Sequence, residues 1–294
     1  MPQTENSATP MEKLIETLNL EALEVNLFRG TSPQVGWQRV FGGQVIAQAL
    51  MAAQRCVDGE RYVHSLHAYF LRPGDPTVPI LYQVERTRDG ASFSTRRVVA
   101  IQHGQMIFSM SASFQQEEEG FSHQLVMPNV TPPEGLMGER EFREMFLSQA
   151  PAHIRAYWAR ERPVEFRPTS FLHYLTKDKL EPKADIWVRM TGVVPDDRRL
   201  QAAVLAYLSD MTLLDVSLYA HGVSVFDQRI QAASLDHAMW FHLPTRLDDW
   251  LLYSQDSPSA SGGRGMTRGS IYTRTGQLVV SVAQEGLIRK KAND

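Results

Sequence analysis

Cysteine is nearly absent: Cys56 is the single one in 294 residues, so the chain holds no internal disulfide and no cysteine-built metal site. No apolar run approaches the roughly 18–20 residues that span a bilayer. The opening MPQTENSATPMEKL lacks the basic-then-apolar pattern of a secretory signal. An excess of one charge is missing too. Lys and Arg number 30 against 33 Asp and Glu, a net charge of −3, which leaves no basic footprint for nucleic acid or an anionic membrane. No Gly-x-Ser-x-Gly elbow, P-loop or dinucleotide Gly-x-Gly-x-x-Gly occurs. The run Gly262-Gly263-Arg264-Gly265 with Gly269 misses the dinucleotide spacing and reads as a bulged or flexible loop. His64 and His67, and likewise His237 and His242, are an odd number of residues apart, so neither pair shares a strand face to chelate a metal. These absences exclude secreted, membrane-spanning and zinc-ribbon proteins and leave a soluble protein of a reducing compartment.

What is present fits a globular protein with a substantial core: 43% hydrophobic and 21% charged residues. This length is read as two units of ordinary size. After a polar, frayed start, residues 11–24 predict a short helix and 25–29 a strand. Residues 42–54, opened by Gly42 and Gly43 and free of proline and charge, predict a helix apolar on nearly every side, hence buried. Strands are expected at 64–71, 78–86, 92–101 and 105–114, the last two joined at Gln102-His103-Gly104. In the last, Met106, Phe108, Met110, Ala112 and Phe114 form one apolar face. Residues 116–163, with Pro128, Pro132 and Pro133 inside and the acidic triplet Glu117 to Glu119, read as a surface connector carrying one or two short helices.

The pattern then restarts. Strands at 164–167 and 184–191 lead to Pro195-Asp196-Asp197, a helix start with Asp196 as the expected cap, and a helix over 198–214. Further strands follow at 234–244, 249–255 and around Arg274-Thr275-Gly276. Laid over one another, Ser65-Leu66 meets Ser234-Leu235 and Gly104-Gln105 meets Gly276-Gln277, placing Met106, Phe108 and Met110 on Leu278, Val280 and Val282. Duplication of one α+β unit is implied: residues 1–115 and 164–294 are the repeats, each a sheet wrapped on a helix, with the sheets joined edge to edge.

The repeats differ in two polar positions. Gln284 falls on Ala112, an inward position where an amide needs partners or costs roughly 1–3 kcal/mol; a core glutamine bonded to nearby backbone is the plain alternative. The second helix carries Asp210 and Asp215, the first no carboxylate. Asp210 borders the stripe Val204, Tyr207, Leu208, Met211 and Leu214. Asp215 projects nearer its centre if the helix reaches that far, so periodicity alone does not choose between them.

Phe41-Gly42-Gly43-Gln44, the stretch His64 to Phe70, Gly90 with Ser92-Phe93 and Arg96-Arg97-Val98, Leu208-Ser209-Asp210, Ser234-Leu235-Asp236-His237 through His242, and Gln284-Glu285-Gly286 resemble the acyl-CoA thioesterase II family over nearly the whole chain. The resemblance implies a double hot-dog fold and hydrolysis of acyl-CoA to free fatty acid and CoA, with no cofactor beyond the CoA of the substrate. It assigns catalysis to Asp210, Ser234 (threonine in many members) and Gln284, which position and activate water without a covalent acyl-enzyme.

One catalytic centre per chain is expected, since only the second helix has the acid. The N–H groups of Gly43 and Gln44, at a helix N-terminus, are candidates for the oxyanion. Met211, Met239, Trp240 and Phe241 are candidates for an acyl pocket, and Arg264 and Arg268 for the CoA phosphates. The resemblance also implies a homo-oligomer, dimer or tetramer. Lys290 to Asp294 is not a Ser-Lys-Leu address, so the cytoplasm is the expected compartment. Competing functions on this scaffold are thioester hydration or dehydration, which needs a histidine paired with an acid, and non-catalytic acyl-CoA binding. Asp236 and His237, adjacent in a strand, face opposite ways.

Overall fold

Helix α1 (Pro10–Leu18) starts where a capping box satisfies its first amides: the Thr9 hydroxyl accepts from the Glu12 N–H, and the Glu12 carboxylate accepts from the Thr9 N–H. It is shorter than the sequence pattern suggested. Glu21–Glu24 is instead strand β1, which turns at Asn26 (φ 60°) and pairs antiparallel with β2 (Leu27–Gly30). The computed structural model describes residues 8–33, 38–146 and 151–291. Most of the stretch expected to fray (residues 1–7) and residues 292–294, the last of the stretch read as no Ser-Lys-Leu address, lie outside the described residues.

Helix α2 (Gly42–Gln54) is buried along almost its whole length, as its composition demands. Its polar side chains are satisfied inside: the Gln48 amide donates to the Thr17 and Thr31 carbonyls and accepts from the Tyr82 hydroxyl. Strands β3 (Arg61–Phe70), β4 (Ile80–Asp89), β5 (Phe93–Gln102) and β6 (Gln105–Gln116) wrap it. The alternation in β6 has one exception. A bulge after the Ala100–Phe108 pair leaves Ile107 unpaired and buried, and turns Met106 outward, 46% exposed. Cys56, just past α2, is buried, and its carbonyl accepts from the Arg96 guanidinium.

The connector carries α3 (Glu139–Phe146) and α4 (Ala152–Trp158). It packs more closely than a surface strap: the Trp187 indole donates to the Thr131 carbonyl, and the Phe142 ring stacks on Phe171 with centroids 4.2 Å apart. Glu117, Glu118 and Glu119 are exposed.

The second half runs β7 (Val164–Pro168), α5 (Leu172–Leu175), β8 (Lys183–Met190), α6 (Arg198–Ser209), α7 (Val216–Tyr219), β9 (Ile230–Ser234), β10 (Asp236–Phe241), β11 (Leu251–Ser261), β12 (Arg264–Thr273) and β13 (Leu278–Lys290). Among the described residues thirteen strands form one antiparallel sheet, with β3 and β10 joining the halves edge to edge. Helices α2 and α6 pack side by side inside it and run oppositely: Gln54 at the end of α2 donates to Arg199 at the start of α6, while Gly43 lies against Tyr207 near its end. The fold is a double hot-dog.

Several local expectations are corrected. The cap of α6 is Asp197, whose carboxylate accepts from the Arg199 and Leu200 amides; Asp196 sits on the surface beside Arg246. The helix ends at Ser209, because Thr212 takes a left-handed φ of 64° that no helix continues. Gly262-Gly263 is a tight two-residue hairpin, both at positive φ, joining β11 to β12. The repeat register slips within one strand. Met239 pairs with Val282 as Ala68 pairs with Met110, so Met239, not His237, stands where Ala68 does. A break at Leu235, where the second half splits its strand into β9 and β10, accounts for the slip. There the Asp236 carboxylate takes the Glu285 N–H, 2.7 Å away.

Candidate active site

Asp210 follows the last residue of α6, at its C-cap. The helix end is held from below by Tyr253, whose hydroxyl donates to the Ser209 carbonyl (2.7 Å). Ser234 ends β9, at the strand break, and Gln284 lies in β13. The three meet. The Ser234 hydroxyl donates to Asp210 Oδ1 at 3.1 Å, and Gln284 Nε2 donates to Ser234 Oγ at 2.9 Å. The Asp210 carboxylate also receives the Gln284 amide and the Gly43 N–H.

Glycine at positions 42 and 43 makes this approach possible. A Cβ on Gly42 would lie 2.6 Å from Asp210 Oδ2, and one on Gly43 2.4 Å from the Tyr207 carbonyl oxygen. The positive end of α2 is thereby brought against the acid. Burial nevertheless dominates. Protein atoms crowd Asp210, although part of it reaches the surface, and its pKa is raised to about 6, against the lowering pull of Ser234, Gly43 and Gln284. Gln284 is fully buried, whereas Ser234 and Asp210 each keep an exposed portion.

The other sequence candidates are placed differently. The Gln44 N–H is taken by the Phe41 carbonyl (3.1 Å) and its side chain by Ser32, while the Gly43 N–H faces the acid; neither amide stands free for an ester oxygen. Met211, next to Asp210, packs on the core from its edge. Met239 is sealed in the core beside the Ser209 hydroxyl. Trp240 does not line an inner pocket: it lies on the outer face, 38% exposed, edge-on to His67. Phe241 lines a cavity of about 50 Å³ with Gln54, Arg198 and Leu205, at the other end of the helices from Asp210. Arg264 pairs with Glu285 and Arg268 with Asp256, all at the surface. Asp215, the rival acid, is bonded by the Tyr174 hydroxyl (3.2 Å), and burial raises its pKa to about 7, but it is away from Ser234 and Gln284. Among the described residues no cluster of three His, Cys, Asp or Glu is placed to hold a metal.

Two partners escaped the sequence reading. His237, 1% exposed, approaches Gln284 Oε1 with its Nδ1 at 2.5 Å and the Ser209 hydroxyl with its Nε2 at 2.8 Å. The signal was available: the repeat puts His237 on an apolar inward position of β3, a polar replacement as conspicuous as Gln284.

Two hot-dog repeats are fused around a shared pair of helices, with a polar cluster at the helix ends. The family model described as acyl-CoA thioesterase matches residues 154–287, and that of the acyl-CoA thioesterase N-terminal domain matches residues 29–115. Human acyl-coenzyme A thioesterase 8 is 43% identical over 283 residues, covering 93% of this chain and 88% of the human one. Acyl-CoA thioesterase 2 of Haemophilus influenzae is 40% identical, covering 95% and 98%. A crystal structure of an acyl-CoA thioesterase II from Mycobacterium marinum superposes with a TM-score of 0.78 at 44% identity, covering 95% of this chain and 99% of that one. The chain belongs to the acyl-CoA thioesterase family.

Proposed function

We propose that the protein hydrolyses acyl-CoA thioesters at Asp210, Ser234 and Gln284 without a covalent acyl-enzyme. Ionised Asp210 takes a proton from a water held by Ser234 and Gln284 as the water oxygen bonds to the thioester carbonyl carbon. The carbonyl π pair moves onto oxygen, then returns as the C–S bond breaks. The CoA sulfur leaves with that electron pair and takes the proton back from Asp210, giving a carboxylic acid and CoA. The reaction so written uses only water, substrate and these side chains. The positive end of α2 stays beside the charge while it passes from the acid towards the ester oxygen.

The observation that carries this reading is the single Ser234 hydroxyl bridging an acid and an amide, with that acid raised to about 6, which makes its carboxylate a stronger base than an ordinary aspartate. Hydration or dehydration is the weaker reading. Its histidine would be His237, which is sealed behind Gln284, while Asp236 faces away and caps Glu285.

The test is release of free thiol from acyl-CoAs of several chain lengths, followed as a function of pH. Turnover should fall as pH drops through about 6. Asp210→Asn should lower kcat on the order of 10²–10⁴-fold, and Asp215→Asn should leave it near wild type. The opposite ranking of the two variants, or loss of enoyl absorbance without thiol release, would overturn the proposal.

A further inference from the structure

We infer that His237 is a positioning residue: held as its Nδ1–H tautomer by Ser209, it fixes the side-chain amide of Gln284 with Nε2 towards Ser234. This deepens the Asp210, Ser234 and Gln284 reading and rests on it.

The argument is one of donors and acceptors. Gln284 Oε1 only accepts, so the ring nitrogen 2.5 Å from it, Nδ1, must carry a hydrogen. Burial pushes the His237 pKa down to about 4, so the ring is neutral and carries one hydrogen alone. Nε2 is then a bare acceptor, and the group beside it, the Ser209 hydroxyl at 2.8 Å, must donate to it. The Ala206 carbonyl, 2.9 Å from the same hydroxyl, and the Met239 sulfur, 3.3 Å away, compete for that proton, but the bare Nε2 has no other hydrogen-bond donor among the described residues.

The result is a chain of donors pointing one way: Ser209 to His237, His237 to Gln284, Gln284 to Ser234, Ser234 to Asp210. With the other tautomer, the bare Nδ1 would face Oε1 as two lone pairs, and the amide would turn over to relieve them. Oε1 would then face Ser234, where it draws the hydroxyl proton away from Asp210, and the donor that orients Ser234 and water would be lost. A symmetric-looking amide acquires a direction only from the imidazole behind it.

The position is fixed rigidly enough for this task. His237 sits in β10, paired through Ala238 and Met239 to Ala283 and Val282 of β13, the strand that carries Gln284. Ser209 is the last residue of α6, immediately before the acid, and is wholly buried. The relay therefore links two of the three elements that deliver catalytic groups, α6 and β13. No proton needs to move along it.

The experiment combines a mutant cycle with a tautomer measurement on the intact enzyme. His237→Leu should lower kcat about 10- to 100-fold with little change in KM, the expected cost of a misplaced catalytic group. His237→Asn, whose amide N–H reaches the place of Nδ1–H, should recover most of that loss. In a Gln284→Ala background His237→Leu should cost nothing further, because the group it orients is gone. An equal loss in both backgrounds would overturn the inference while leaving the three-residue reading intact. A Gln284→Ala enzyme of unchanged turnover would overturn both. Should His237→Leu fail to fold, nitrogen-15 NMR of the wild-type imidazole decides alone: the Nδ1–H tautomer is required, and an Nε2–H tautomer would refute it.

Discussion

Replacing Asp210 by asparagine should weaken the reaction and strengthen the fold, and the second effect depends on pH in a way the site dictates. The folded-state pKa of Asp210 is raised to about 6 from a reference of 3.8, chiefly by burial. A carboxyl whose pKa is raised on folding binds its proton more tightly in the native state. Ionising it therefore costs stability that is retained below pH 3.8, lost progressively as pH rises towards about 6, and fully lost above. A shift of this size, at 1.36 kcal/mol per unit, corresponds to about 3 kcal/mol at pH 7.5. The asparagine is never ionised and escapes that cost. Its amide fits less well against the Gly43 N–H, but this misfit is the same at every pH. The quantity to measure is thus the change, between pH 4 and pH 7.5, in the stability difference of the two proteins from urea unfolding. It should favour the variant by about 2–3 kcal/mol at the higher pH. Asp215, also raised, to about 7, is present in both proteins and cancels. A stability difference that stays constant with pH, or grows against the variant, would show that Asp210 is not held in a desolvated, proton-binding site.

Ser234→Ala removes a hydrogen bond that lowers the Asp210 pKa, so the acid limb of the pH–kcat profile should move upward from about 6 while kcat falls; a downward move would contradict the bond. Gly43→Ala puts a methyl 2.4 Å from the Tyr207 carbonyl and forces α2 away from α6, which should cost about 1–3 kcal/mol in chemical denaturation. Arg264→Ala and Arg268→Ala each break an exposed ion pair, with Glu285 and Asp256, so stability and KM for acyl-CoA should change little. A tenfold rise in KM would instead return these arginines to the substrate.

Much of the architecture was legible because it rests on local regularities. A charge-free segment behind Gly42-Gly43 has nowhere to go but a protein interior, and α2 is buried there. Period-two alternation located β5 and β6, and the repeated turn at Gly104 and Gly276 exposed the duplication. The failures occur where a long-range contact outweighs the local pattern. Glu21–Glu24 continues a helical pattern yet pairs with β2. Asp196 and Asp197 are equivalent caps on paper, and the packing of α6 chooses the second. Trp240 shares a strand with two core residues and points the other way, which a one-residue error of register suffices to hide.

Composition and motif spacing by themselves determined the α+β class and the duplication, since burial and alternation are properties of short stretches of chain, while Asp210, Ser234 and Gln284 were named only by the resemblance to a family. Periodicity left Asp210 and Asp215 open, the resemblance named Asp210, and the tertiary structure shows that it is Asp210 that meets Ser234. The termination of α6 at Ser209 leaves Asp210 at the cluster and sends Asp215 to Tyr174. It alone gave the Gln284 amide a direction, through His237 and Ser209. The physical reason is that a hydrogen bond of about 3 Å depends on the relative placement of elements far apart in sequence, and a pKa on everything packed around the group.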